Sequence, residues 1–154
     1  MDESAIRSYV GAFEGVRVMV ASAADGSPEI AWGDTFFFYD PDDRPAARRF
    51  PFVTIVTKDY GDFDNASNLD RAGVFRLNIG LGHETYAGMF GTPVEHDYAA
   101  IDRLFPHPVY RAQNWVSVVN PSHETFESIK PLLIEAYERA IDRHRSPVDA
   151  EGWA

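Results

Sequence analysis

The sequence predicts an α+β domain with a mostly antiparallel sheet, an N-terminal helix and C-terminal helices. Three observations predict it. Segments rich in β-branched and aromatic residues cluster in the first half of the chain and return once near Trp115, instead of alternating with helices. Apolar stripes with helical spacing stand at both ends. The βαβα alternation of a doubly wound sheet is absent. With 154 residues and no internal repeat, the chain reads as one domain over residues 1–145 followed by a disordered tail over 146–154.

Each element has its own reason. Asp2 or Ser4 caps a first helix whose stripe is Ile6, Tyr9, Val10 and Phe13, and Gly15 stops it in a left-handed conformation. Residues 16–21, β-branched at alternate positions, predict a strand, and Ala24-Asp-Gly-Ser-Pro28 a turn. The three successive phenylalanines of 34–39 place aromatic rings on both pleat faces, which predicts a strand covered on both sides. A proline-punctuated loop over 40–51 leads to a valine- and isoleucine-rich strand over 52–58. A long polar loop, 59–73, precedes a strand over 74–79 with Phe75, Leu77 and Ile79 on one face and Arg76 and Asn78 on the other.

Glycines 80 and 82 lead into a short helix over 83–90 with Tyr86, Met89 and Phe90 inward. The spacing of Tyr98, Ile101, Leu104 and Phe105 predicts a second short helix over 97–105, ended by Pro106-His107-Pro108. Residues 115–119 form the last strand. Ser122 caps a long stripe running from Phe126 through Leu133 to Ile141, and Pro131 inside it predicts two helices, with the proline at the first position of the second.

Composition excludes several classes of function. With 45% hydrophobic and 14% aromatic residues the chain has material for a core, of which a domain this size buries roughly 70% of its extended surface. The absence of cysteine removes disulfides, thiolate nucleophiles and Cys-ligated metals. No apolar run approaches the roughly 20 residues of a bilayer span, and Met1-Asp-Glu-Ser4 is no secretory signal, so a cytoplasmic protein without membrane contact is expected. A net charge of −10 repels nucleic-acid phosphates. The nearest basic patch, Arg44, Arg48 and Arg49, shares its stretch with Asp40, Asp42 and Asp43.

The motif search mostly rejects. An EF-hand starting at Asp62 fails, because the loop places Ala66, Ser67 and Gly73 where a ligand, the glycine and the glutamate belong. A looser cation site from Asp59, Asp62, Asp64 and Asp70 competes with a polar loop that bonds its own backbone. Gly80-Leu-Gly82 resembles the start of a dinucleotide loop, but Thr85 occupies the third glycine position; the helix start could still receive an anionic group. His123 and Glu127 share a helix face at i, i+4 without a second histidine, and His83 and His96 read as surface residues. No serine has a local base partner. No cofactor is implied.

Five residues remain as candidates. Arg76 and Asn78 alternate with core positions on an interior strand, so they face either solvent or a concave sheet face. An arginine there recognises a carboxylate or phosphate, or pairs with a neighbouring acid. His107 is held between two prolines and is followed by Tyr110 and Trp115. That arrangement lines a pocket or packs a rigid aromatic turn.

Several segments together carry a resemblance: Asp34-Thr-Phe-Phe-Phe-Tyr-Asp-Pro41, Phe50-Pro-Phe52, Gly73-Val-Phe-Arg-Leu-Asn-Ile-Gly80, Pro106-His-Pro-Val-Tyr110 and Trp115-Val-Ser-Val-Val-Asn-Pro-Ser122. They resemble an uncharacterised family of small, mainly actinobacterial proteins, over roughly Ile6 to His144, and that resemblance implies no activity. The helix ending at Gly15-Val16, the Trp115 strand and the terminal helix around Tyr137 are similar to MmcQ/YjbR-like proteins. This second likeness implies a frataxin-like arrangement and a DNA-binding role, which the acidic charge opposes. The first helix, with Asp2, Glu3 and Arg7, lacks the carboxylate row by which frataxin meets iron. The resulting expectation is a module that binds a small ligand or a protein partner through Arg76, Asn78, His107, Tyr110 and Trp115. The alternatives are acid–base catalysis by His107 with a nearby carboxylate, and nucleic-acid binding. The aromatic content also suits a homodimer interface.

Overall fold

The Asp2 carboxylate accepts the Ala5 amide at 2.8 Å and opens α1 (Glu3–Gly11), which buries Ile6 and Val10. The helix ends before Gly15, whose φ of +79° turns the chain into β1 (Val16–Val20). A Cβ at Gly15 would stand 2.6 Å from the Tyr39 ring, so both the backbone angle and the close approach require glycine there. The computed structural model describes residues 1–43 and 50–145. The Arg44, Arg48 and Arg49 stretch and the expected tail over 146–154 lie outside the described residues.

The remaining elements are β2 (Thr35–Tyr39), β3 (Val53–Val56), β4 (Arg76–Gly80), α2 (His83–Phe90), β5 (Leu104–Pro106), β6 (Trp115–Val119) and α3 (His123–Arg145). The six strands form one sheet in the order β1-β2-β3-β4-β6-β5, every neighbouring pair antiparallel. The α+β class and the antiparallel sheet are as the sequence predicts.

Register sorts the side chains into two layers. Phe37, Val53, Ile79 and Val116 stand opposite one another across four strands, and Ile55, Leu77 and Val118 form the next row on the same face. These rows pack with Ile6 and Val10 of α1 and with Phe126, Ile129, Leu133 and Ala136 of α3 into the main core. The other face carries the row Phe36, Thr54, Asn78, Ser117 and Phe105, with Val56, Arg76 and Val119 beside it. Among the described residues no α-helix packs flat on this face. Loops do, which explains why β2 is apolar on both sides as its phenylalanines predict. A second apolar cluster of Val56, Leu69, Phe105 and Val119 anchors the loop before β4 to it.

Two helix predictions are corrected. Residues 97–105 form no helix. Asp102 takes a φ of +60°, donates its amide to the Val119 carbonyl at 2.7 Å and accepts the Ser122 amide on its carboxylate at 2.6 Å. Ile101 bridges Val119, and β5 pairs with β6. Leu104 and Phe105 then fall on opposite faces, each packed in a different cluster. Pairing with β6 gives these backbone groups partners outside the segment, and that tertiary contact overrides the local spacing.

The second correction concerns Pro131, which lies inside one continuous helix of 23 residues. Its position is exposed, so the Glu127 carbonyl that loses an amide partner is open to water. The buried stripe of Phe126, Ile129, Leu133, Ala136 and Ala140 runs unbroken past it, and packing holds the two halves in line. Pro131→Ala restores the missing amide and removes the ring from the preceding turn. It should raise unfolding free energy by about 1–3 kcal/mol, read from urea denaturation; an unchanged or lower midpoint would show that the proline's shape is required.

Candidate functional site

β4 lies in the middle of the sheet, and alternation turns Arg76 and Asn78 away from the helices. Both are buried, and the Arg76 side chain is fully so. Its guanidinium makes a two-pronged pair with Asp64, Nη1 to Oδ1 at 3.0 Å and Nη2 to Oδ2 at 2.5 Å. Nη1 also donates to Ser67 Oγ at 3.0 Å, and Nε to Asn78 Oδ1 at 2.8 Å. Asn78 Oδ1 accepts Ser117 Oγ at 2.7 Å as well, while its Nδ2 donates to Thr54 Oγ1 at 3.0 Å. The amide is fixed in orientation across three strands.

The loop between β3 and β4 brings Asp64 to this spot. Tyr60 and Asp64 form a bridge, the Tyr60 amide donating to the Asp64 carbonyl at 2.8 Å. Asp59 accepts the Leu69 amide at 2.8 Å and Asp70 the Asp59 amide at 3.0 Å. Of the four acids considered for a cation, Asp59 and Asp70 therefore hold the loop and Asp64 holds Arg76, in line with the self-bonding reading. Among the described residues no group of three or more His, Asp or Glu is placed to hold a metal ion. The Tyr60 hydroxyl donates to buried Asp34, which also accepts the Thr57 amide and hydroxyl at 2.8 Å each. Burial first, and then the Asp34 carboxylate, push the Tyr60 phenol upward, so it stays protonated.

His107 follows β5. Its amide donates to the Trp115 carbonyl at 2.9 Å, and its Nδ1 accepts the amides of Val109 and Tyr110 at 3.0 Å each. The intervening Pro108 has no amide to compete, so the Pro-His-Pro segment closes a turn on its own imidazole. The ring is 3% exposed, lies 4.9 Å from the Tyr110 ring, and brings Nε2 to 3.3 Å from Arg76 Nη2. Burial, with the Arg76 charge second, pushes the imidazole down to about 3. It is neutral at physiological pH.

Above these groups opens a cavity of about 790 Å³. Arg76, Asn78, His107, Tyr110 and Trp115 all line it. Arg76 is paired with an acid, as one of the two sequence readings has it, but on a buried floor and not an open face. Trp115 lies against Gly80, where a Cβ would meet the indole at 2.9 Å. Sequence reasoning missed Thr54, Tyr60 and Ser67, the aromatic wall of Phe36 and Phe63, and Arg139 and Arg143 on α3. The signal for Thr54 was available once β3 pairs with β4, because it stands directly opposite Asn78.

Two other sequence features resolve elsewhere. The start of α2 does receive an anion, but it is the chain's own Glu135, which accepts the Gly82 amide at 3.0 Å and the Thr85 hydroxyl at 2.6 Å. On α3, Glu127 pairs with Lys130 at 2.7 Å, and the exposed His123 stands 3.9 Å away. Among the described residues no helix is long and apolar enough to cross a membrane.

Residues 1–149 match a family of unknown function, DUF6194. The chain belongs to this family. No curated protein and no solved structure matches the chain. In this DUF6194 domain the segments Asp34–Pro41, Gly73–Gly80, Pro106–Tyr110 and Trp115–Ser122 meet around one cavity, so the chemistry to be explained is that of its walls.

The Arg76–Asp64 pair should behave as a buried ion pair. Asp64→Ala leaves a guanidinium without its counter-charge and is expected to cost about 3–5 kcal/mol, whereas the double replacement Arg76→Met with Asp64→Leu should recover most of the loss. Urea unfolding of the three proteins checks this, and equal destabilisation by the single and double variants would refute it. His107 gives an acid signature. The folded imidazole refuses a proton until about pH 3, while the unfolded one binds it at 6.5. Stability is therefore lost as pH falls from 6.5 towards 3, with a slope approaching about 1.4 kcal/mol per pH unit. His107→Asn, whose carboxamide oxygen can still accept the two turn amides, should lose this component; a constant difference between the two proteins from pH 7 to pH 4 would overturn it.

Proposed function

We propose that this domain binds a small organic molecule in the cavity over the Arg76, Asn78 and His107 floor. The observation that carries the reading is the combination of a concave, aromatic-walled space of about 790 Å³ with a buried polar floor, the usual composition of a ligand pocket. The mouth is greasy as well. Phe63 and Tyr110, whose ring centroids are 6.0 Å apart, line the cavity while remaining 61% and 43% exposed. Such half-exposed rings have apolar area left to bury, which a ligand body would cover.

The same floor argues against acid–base catalysis by His107. A base whose conjugate acid forms only at about pH 3 takes up protons weakly at neutral pH, and its Nδ1 is already engaged by the turn. His107 is better suited to donate a fixed hydrogen bond. A nucleic-acid role fits less well, since the net charge is −10 and phosphate contacts need a basic surface.

A thermal-shift screen of the full chain against metabolites tests the proposal. A ligand at a hundredfold excess over its Kd stabilises the folded state by about 2.7 kcal/mol. Tyr110→Ala removes one ring from the wall without touching the Arg76–Asp64 pair, and should weaken any hit about tenfold. A hit whose affinity is the same in this variant binds elsewhere, and a screen silent throughout refutes the proposal.

A further inference from the structure

We infer that the molecule bound here presents a neutral carbonyl oxygen to two N–H donors at the floor of the cavity, His107 Nε2–H and Arg76 Nη2–H. The inference rests on the ligand-binding reading given above and specifies its chemistry. A neutral imidazole has one lone-pair nitrogen. His107 Nδ1 accepts two backbone amides at 3.0 Å, so Nδ1 carries the lone pair and the proton sits on Nε2. Nε2 stands 3.3 Å from Arg76 Nη2, and a guanidinium offers only donors. Two N–H groups therefore face each other. The opposite tautomer would set an N–H against two amides, and a protonated ring would do so while placing a second positive charge beside the first.

The rest of the guanidinium is satisfied. Nε donates to Asn78, Nη1 to Asp64 and Ser67, and one Nη2 hydrogen to Asp64. The second Nη2 hydrogen and His107 Nε2–H remain, on side chains 0% and 3% exposed that both line the cavity. Buried donors require an acceptor. One carbonyl oxygen, with two lone pairs, satisfies both.

The charge of that oxygen follows from Asp64. The guanidinium is already balanced by a two-pronged carboxylate. A ligand carboxylate on the same floor would add an uncompensated negative charge beside it, away from water. A ketone, amide or lactam oxygen adds none. The walls, with Met19, Phe36, Phe63, Tyr110 and Trp115, suit an apolar or aromatic body attached to that carbonyl.

Two measurements on the full chain test this. Long-range nitrogen–proton correlation NMR at neutral pH should show His107 bare at Nδ1 and protonated at Nε2; a proton on Nδ1 overturns the inference. Acetophenone, ethylbenzene and benzoate then share one ring and differ only in the acceptor. Titration by NMR should rank the ketone first, about three- to tenfold tighter than the hydrocarbon, with the carboxylate weakest. In His107→Asn the advantage of the ketone over ethylbenzene, both measured in that variant, should shrink, because only the Arg76 donor remains. Equal affinity of ketone and hydrocarbon in the unaltered protein, both shifting cavity resonances, overturns the donor pair and leaves the cavity a ligand site. Benzoate binding tightest overturns the neutral acceptor. Absence of binding by all three overturns the cavity reading itself.

Discussion

The pairing of Arg76 with Asp64 is the contact on which the open face of the sheet depends. A guanidinium with no solvent exposure in the middle strand of a sheet is costly to bury, and it is retained only because four acceptor contacts, from Asp64, Ser67 and Asn78, meet it. In return it fixes the loop between β3 and β4. Asp64 and Ser67 stand over the sheet because the arginine holds them there, and Tyr60, bridged to Asp64, carries the connection on to Asp34. Loops, strands and one end of α3 all contribute to the cavity walls, and the loop carrying Tyr60, Phe63 and Asp64 is pinned to the middle of the sheet through Arg76. Such a construction holds the floor side chains in place before anything enters the cavity.

Much of this was legible in the chain. Strand alternation alone puts Arg76 and Asn78 on the face opposite Leu77 and Ile79, and the Pro-His-Pro segment announces an immobilised imidazole. The sequence signal for β2 was equally direct, because three adjacent phenylalanines have no place on a strand with one wet face. What could not be read was which segments meet. Nothing local marks Asp64 as the partner of Arg76 rather than one more loop acid, and nothing places Thr54 beside Asn78 until the register of β3 is known.

The two misread segments have a common cause. Residues 97–105 have helical spacing, and Pro131 has the signature of a helix boundary, but each was overridden by an interaction with a distant partner. Asp102 is tied to Val119 and Ser122, and β5 completes the edge of the sheet. The apolar stripe of α3 is buried along its whole length against β2 and β4, so a single missing hydrogen bond on the wet side does not break it. Local preferences amount to a few kcal/mol at most, and burial over several turns exceeds them.

The neutrality of the floor reconciles the proposed polar binding face with an acidic protein. A site that drew its ligand by net charge would work against a chain carrying −10. The floor holds Arg76 balanced by Asp64 and His107 uncharged, so on the proposed reading recognition at the floor falls to the direction of individual N–H groups and to ring surfaces. Directional donors in a buried setting discriminate strongly, because a ligand lacking the matching acceptor leaves them desolvated and unpaired. On the proposed reading, the fixed imidazole of His107 sets what the cavity accepts through the position of one proton, and the Val109 and Tyr110 amides set where that proton resides.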